Sequence, residues 1–97
     1  MTHRPWLHRP RPPTLSRVGS KDRWDALCGA FGAAVRAQRE KLGISQEELG
    51  FRADLDRTYV SGIERGVRNP TLKIIGRLAK ALGTQASRLL ATAERAG

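Results

Sequence analysis

Arg57, Thr58, Ser61 and Arg65 carry the chemistry worth weighing first, because the stretch RTYVSGIERG (57–66) can bring them to one side of a short helix. At about 100° per residue, with Arg57 as zero, Ser61 falls at about 40°, Arg65 at about 80°, Thr58 at about 100° and Gly62 at about 140°. Val60 and Ile63 fall on the opposite arc, with Tyr59 between the two. One arc is small, polar and basic, and the other is apolar and packs inward. A guanidinium in the first turn of such a helix can donate two parallel hydrogen bonds to guanine O6 and N7, worth about 1–3 kcal/mol of discrimination. Thr58 can donate to a phosphate or touch a thymine methyl, and Tyr59 and Ser61 stand beside them as secondary base-reading candidates. Bulky groups at 61 and 62 would hold the helix off a groove, and neither position has one.

A helix that reads must be positioned, and the flanking sequence supplies the means. Ser45 opens a preceding helix as its N-cap, with Glu48 three residues on in capping-box spacing. That helix runs to about Ala53 and turns at Asp54-Leu55, and Asp56 caps the next, which runs to Arg65 and stops at Gly66. Gln46, at the start of the first of the two, can bond a phosphate that a helix N-terminus already favours. Arg52, Arg65, Arg68, Asn69 and Lys73 are candidates for further phosphate contacts. Each alone reads as a solvated charge, and their clustering is what shifts the balance. Glu64 lies at the margin of the buried arc and Arg39 on the last turn of the helix before Ser45. An ion pair between them ties the two elements together, a scaffold role.

The remaining elements complete an all-α, compact bundle of five helices. The first spans about Trp24–Leu42, with Leu27, Phe31, Val35 and Leu42 inward, Ala30, Ala34 and Gln38 close to that face, and Gly29 and Gly32 as weak points. Gly43 ends it. Thr71 caps a fourth helix after the turn Arg68-Asn69-Pro70, with Leu72, Ile75, Leu78, Ala79 and Leu82 inward and Gly83 closing it. A fifth, around Ala86–Glu94, offers Leu89, Leu90 and Ala93. No strand pattern competes.

Composition sets the bounds. Ninety-seven residues allow one small domain, and 18 Lys+Arg against 9 Asp+Glu give a net charge of +9. Residues 1–23 hold six basic side chains and one acid, and the rest hold twelve and eight. Charge alone therefore points to a polyanion without naming it. Residues 1–22 hold four of the five prolines and both histidines, and read as a disordered basic tail ahead of a folded domain at 23–97. The tail is either a solvated extension, the blander reading and the preferred one, or an arm for a minor groove. His3 and His8 are too isolated for a metal site. Cys28 is alone, reads as a small buried hydrophobe and fits a reducing cytoplasm. No apolar run spans a membrane, and no signal peptide opens the chain. No Ser/His/Asp set, metal-ligand cluster or phosphate-binding glycine loop suggests an enzyme, and no cofactor is expected.

SQEEL at 45–49, RTYVSGIERG at 57–66, RNPTL at 68–72 and LAKALG at 78–83 together resemble the Xre family of helix-turn-helix domains, found in phage Cro and repressor proteins. The segment DRTYVSGIERGVRNPTL is especially similar to controller proteins of restriction–modification systems. The resemblance covers residues 31–90 and implies a phosphate-contacting role for Gln46, base reading from Arg57 and Thr58 with Tyr59 beside them, and an Arg39–Glu64 bridge. A later base-reading position of some phage repressors matches Gly62, which has no side chain, so reading leans on Arg57. Gly50 stands where alanine is usual and Asp54 where the turn often has glycine. Thr84-Gln85 replaces a more usual hydrophobic-Ser pair, implying a less firmly docked last helix. Phe51 lies off the inner stripe, as a plain exposed aromatic rather than a partner contact.

The expectation is a sequence-specific transcriptional regulator that inserts the helix at about 56–65 into the major groove of double-stranded DNA. A homodimer is expected, on a palindromic operator, in the cytoplasm of a bacterial or phage-like setting and associated with the nucleoid. The dimer surface, by resemblance, lies at the fifth helix. The competing expectation is an antitoxin-like or other protein-interaction module built on the same bundle. A toxin or RNA polymerase as partner stays open.

Overall fold

The computed structural model describes residues 17–96, with side chains from Arg23 onward. They form α1 (Arg17–Leu42), α2 (Gln46–Ala53), α3 (Arg57–Glu64), α4 (Leu72–Ala81) and α5 (Ala86–Ala96), with no strand among the described residues. The all-α, five-helix expectation holds. The expected tail at 1–22, with His3 and His8, lies outside the described residues up to position 16. From Arg17 the backbone is already helical, ahead of the Trp24 start expected from apolar spacing.

Four helix ends are built alike. After α1, α2, α3 and α4 the chain turns through a left-handed residue, and the next N–H reaches back five positions to a carbonyl. Ile44 donates to Arg39 O (3.3 Å), Leu55 to Gly50 O (2.8 Å), Val67 to Gly62 O (3.0 Å) and Thr84 to Ala79 O (2.9 Å). This is the Schellman arrangement, which satisfies carbonyls that a helix end leaves open. The left-handed residue is Gly43, Gly66 or Gly83 in three cases and Asp54 (φ 57°) in the other. Asp54 thus holds the conformation that the departure from glycine put in question.

The starts are capped as the sequence implied. Glu48 N–H donates to Ser45 Oγ (3.0 Å), Thr58 N–H to Asp56 Oδ2 (2.9 Å) and Ile74 N–H to Thr71 Oγ1 (3.2 Å). The capping box at Ser45 is half used, because the Glu48 carboxylate accepts from Arg52 Nε (2.9 Å) in the next turn of α2.

Every helix gives to one core: Phe31, Ala34 and Val35 from α1, Leu49 and Ala53 from α2, Val60 and Ile63 from α3, Leu78 and Ala79 from α4 with Leu82 at its end, and Leu89 and Ala93 from α5. Burying each larger side chain contributes about 1.5–3 kcal/mol. The firm burial of Leu89 and Ala93 corrects the expectation of a loosely docked α5. Leu42 (47% exposed) and Leu72 (77% exposed) correct the inner stripes drawn for α1 and α4. Each sits at a helix end, beyond the reach of a facing element. Phe51 is exposed as expected.

α1 packs against α3 and α5, α2 against α3 and α4, and α4 against α5. The α1–α3 crossing accounts for a glycine that helix propensity alone disfavours. A Cβ on Gly32 would lie 2.1 Å from Ile63 O and 2.9 Å from Glu64 O, so only glycine lets the two backbones meet there.

Candidate nucleic-acid interface

The end of α3 is fixed by a partly buried charge cluster. Arg39 Nε donates to Glu64 Oε2 at 2.6 Å and Arg39 Nη2 to Glu64 Oε1 at 3.0 Å, a two-pronged pair whose side chains are 13% and 3% exposed. Arg39 Nη1 donates to Ile44 O (2.9 Å), so one guanidinium joins α1, the turn before α2, and α3. The hydrogen bond to Glu64 raises the Arg39 pKa above its ordinary value. The expected ion pair is present.

Gln46 belongs to the same cluster. Its Nε2 donates to Glu64 Oε1 (3.0 Å), a contact that sequence reasoning missed. The second amide hydrogen and the amide oxygen remain for an outside group. Gln46 is therefore oriented by the carboxylate that holds the end of α3.

On α3, Val60 and Ile63 are buried, Tyr59 and Ser61 half-buried, and Arg57 and Thr58 exposed. Arg57 makes no ion pair or side-chain hydrogen bond among the described residues. The Thr58 hydroxyl donates to the Asp56 carboxylate, so outward it offers its methyl group and an acceptor oxygen. These bonds from Thr58 hold the Asp56 carboxyl below the usual carboxylate range. Arg65 Nε donates to Ser61 Oγ (3.4 Å) and the Arg68 guanidinium lies over the Tyr59 ring, 5.4 Å from its centroid.

Ser61 and Arg65 thus form one pair on α3 and Tyr59 and Arg68 a second beside it, with Gln46 joined to the end of α3 through Glu64. Three candidates are not drawn in. Arg52 pairs with Glu48 and borders a hollow with Asp54, Arg77 and Lys80. Asn69 lines a small cleft with Leu27, Cys28, Phe31 and Pro70. Lys73 is exposed on α4. Gly62 needs a correction. Its angle on the helix places it on the open arc, yet it is buried because the Arg68 side chain covers it.

Arg77 carries a role that sequence reasoning missed outright. Its Nε donates to Ala53 O (2.9 Å), its Nη2 donates to Asp54 O, and the Asp54 carboxylate lies 3.5 Å from Nη2. It holds the turn between α2 and α3 from α4, and no local pattern marks an arginine for that role.

Two short helices locked at a tight turn, the second with a basic outer face and an apolar inner one, define a helix-turn-helix protein. The helix-turn-helix family model matches residues 35–89, and the chain belongs to that family, in its Xre-type branch. It is 52% identical over 61 residues to the control protein C.BamHI of Bacillus amyloliquefaciens, covering 62% of this chain and 75% of that one. The crystal structure of the restriction-modification controller protein C.AhdI from Aeromonas hydrophila superposes with a TM-score of 0.63 at 45% identity, over 64% of this chain and 94% of that one. The controller protein C.Esp1396I, solved as a tetramer on its natural 35-base-pair operator, matches with a TM-score of 0.65 at 32% identity, over 71% and 91%. No helix among the described residues is long and apolar enough to cross a membrane, and none of their His, Cys, Asp and Glu side chains group to hold a metal ion.

Proposed function

We propose that this chain is a sequence-specific DNA-binding transcriptional regulator that lays α3 in the major groove, acting as a homodimer on a palindromic operator. The observation that carries it is Arg57: an exposed guanidinium, free of partners among the described residues, at the first turn of a helix whose far end is locked by Arg39 and Glu64. In this reading Arg57 donates to a base edge. Thr58, Tyr59 and Ser61 border that contact, and Gln46, Arg65 and Arg68 bind phosphates on either side. Arg52, Asn69 and Lys73 lie further out and contribute through charge or loop shape. Arg39 and Glu64 touch no DNA.

One recognition helix covers only a few base pairs. Two related by a twofold axis about 34 Å apart read a palindrome with useful selectivity. The α5 side is the candidate dimer surface, where Trp24 stays 56% exposed beside Leu27 and Ala93. The operator-bound tetramer of C.Esp1396I supports association on DNA as the working state. The protein is read as a non-catalytic regulator of the cytoplasm. The antitoxin-like alternative gains no support from these relatives.

The test is binding to the DNA upstream of the chain's own gene, for wild type and Arg57→Ala, across a salt series. A strong wild-type preference over random duplex, lost in Arg57→Ala with non-specific affinity kept, supports the reading. Equal binding of all DNA by both chains, falling only with salt, removes sequence reading at that DNA.

A further inference from the structure

Gly62 lies on the flank of the outer face of α3, and a single side chain from the segment after the helix conceals it. The three heavy atoms nearest to a Cβ built on Gly62 all belong to Arg68: Cγ at 2.8 Å, Nε at 3.1 Å and Cδ at 3.5 Å. Cγ and Cδ are stem atoms, so a methyl group at 62 could not be accommodated by moving the guanidinium tip alone. The stem of Arg68 would have to shift out of the slot. Beyond the slot, the same guanidinium meets the face of Tyr59, and the Val67 N–H bonded to Gly62 O anchors the backbone next to Arg68. The residue stays exposed overall, so its charge faces solvent while its stem is held.

An arginine on an open loop samples many rotamers, and ordering it at a binding event opposes binding. Here a slot, an aromatic face and a fixed loop have already ordered it. We infer that Gly62 is a positioning residue for DNA binding: by lacking a side chain it seats Arg68 against Tyr59 beside the groove-facing surface, and so sets operator affinity without touching DNA. This deepens the proposal above and rests on α3 being the reading helix. The competing explanation is that Gly62 only lets the α3 backbone approach the DNA. The two differ in what Gly62→Ala does once Arg68 is gone.

The experiment is a double-mutant cycle. Wild type, Gly62→Ala, Arg68→Ala and the double variant are titrated with a duplex that the wild-type chain selects from a random pool, and with a scrambled duplex. Each single change is expected to weaken binding to the selected duplex about tenfold, and the double variant to bind no more weakly than Arg68→Ala. A double variant that loses the product of the two single losses means close backbone approach and overturns the inference. The free protein supplies a second readout, the 15N-resolved Nε–Hε resonance of Arg68. It should move to the position of an unrestrained arginine in both Gly62→Ala and Tyr59→Leu, and an unmoved resonance in Gly62→Ala also overturns the seating. If the wild-type chain selects no duplex at all, the DNA-reading proposal falls. The resonance then decides the seating alone.

Discussion

Arg39 and Glu64, 25 positions apart in the sequence, meet through two hydrogen bonds, and one of the two carboxylate oxygens also accepts from Gln46. The pair joins the end of the reading helix to α1 while orienting the residue that opens α2. A scaffold contact and a candidate DNA contact therefore share one acceptor.

Glu64→Ala leaves the Arg39 cation enclosed and unpaired and frees the Gln46 amide. The expected loss of stability is about 3–5 kcal/mol, measured as a lower urea midpoint at unchanged slope. Arg39→Ala, which strands the carboxylate instead, should cost a similar amount. Arg39→Met with Glu64→Leu should recover much of it, since no buried charge is then left alone. A midpoint unchanged in either single variant would mean that the cluster holds nothing together.

Arg77 is expected to matter for stability out of proportion to its half-exposed position. Its guanidinium satisfies carbonyls of Ala53 and Asp54 at the end of α2, where no further helical turn exists to do so. Arg77→Ala should lose about 1–3 kcal/mol. Arg77→Lys should recover only part, because one ammonium cannot span both carbonyls in the plane of the fork. Denaturant titration of the three chains decides it.

The local signals in this sequence prove readable because each helix end is decided by neighbours in the chain. Ser45, Asp56 and Thr71 cap the helices that begin beside them, and Gly43, Gly66 and Gly83 close the helices that end at them. Arg39 and Glu64 are legible too, since charges at the margins of two apolar stripes have few places to go. The misreadings share a different cause. Leu42 and Leu72 continue apolar stripes by angle, but at a helix end there is no facing element to cover them. The helical wheel leaves Gly62 open, because it cannot show a later loop folding back over it. Arg77 works across 23 positions on a backbone with no side-chain mark. The start of α1 lies earlier than its apolar spacing suggests. Residues 17–23 have no apolar period, and a helix can continue without one, even across Gly19, when no proline interrupts it.

The cap at Asp56 predicts a specific acid response. Its carboxyl is held below the usual carboxylate range in the folded chain by hydrogen bonds from Thr58. A depressed folded pKa gives stability that is complete above the unfolded value, about 3.9, and that disappears as the pH falls through the folded one. Asp56→Asn keeps an accepting oxygen for the Thr58 N–H but has nothing to titrate. The stability difference between wild type and Asp56→Asn should therefore be constant at neutral pH and shrink as the pH falls below about 3.9. Thermal melts of both chains in matched buffers test this. A difference that does not change down to about pH 2 would mean that the hydrogen bonds of Asp56 do not distinguish its two protonation states.

Arg57 offers the sharpest division between reading a base and holding a phosphate. A base contact contributes mainly to discrimination, so Arg57→Ala should lose about 1–3 kcal/mol against the preferred duplex and little against random DNA. The dependence of log affinity on log salt should keep its slope, because the phosphates neutralised are the same in number. A phosphate contact would behave in the opposite way, weakening all sequences alike and lowering the slope by about 0.9. Arg57→Lys separates the two again. A lysine replaces a phosphate contact tolerably as a point charge, but it cannot repeat the paired donors that fit guanine O6 and N7. If Arg57→Lys retains the wild-type preference, Arg57 acts through its charge, and the base-reading role passes to Thr58, Tyr59 or Ser61. If it loses the preference as fully as Arg57→Ala does, the geometry of the guanidinium at the first turn of α3 is what selects the sequence.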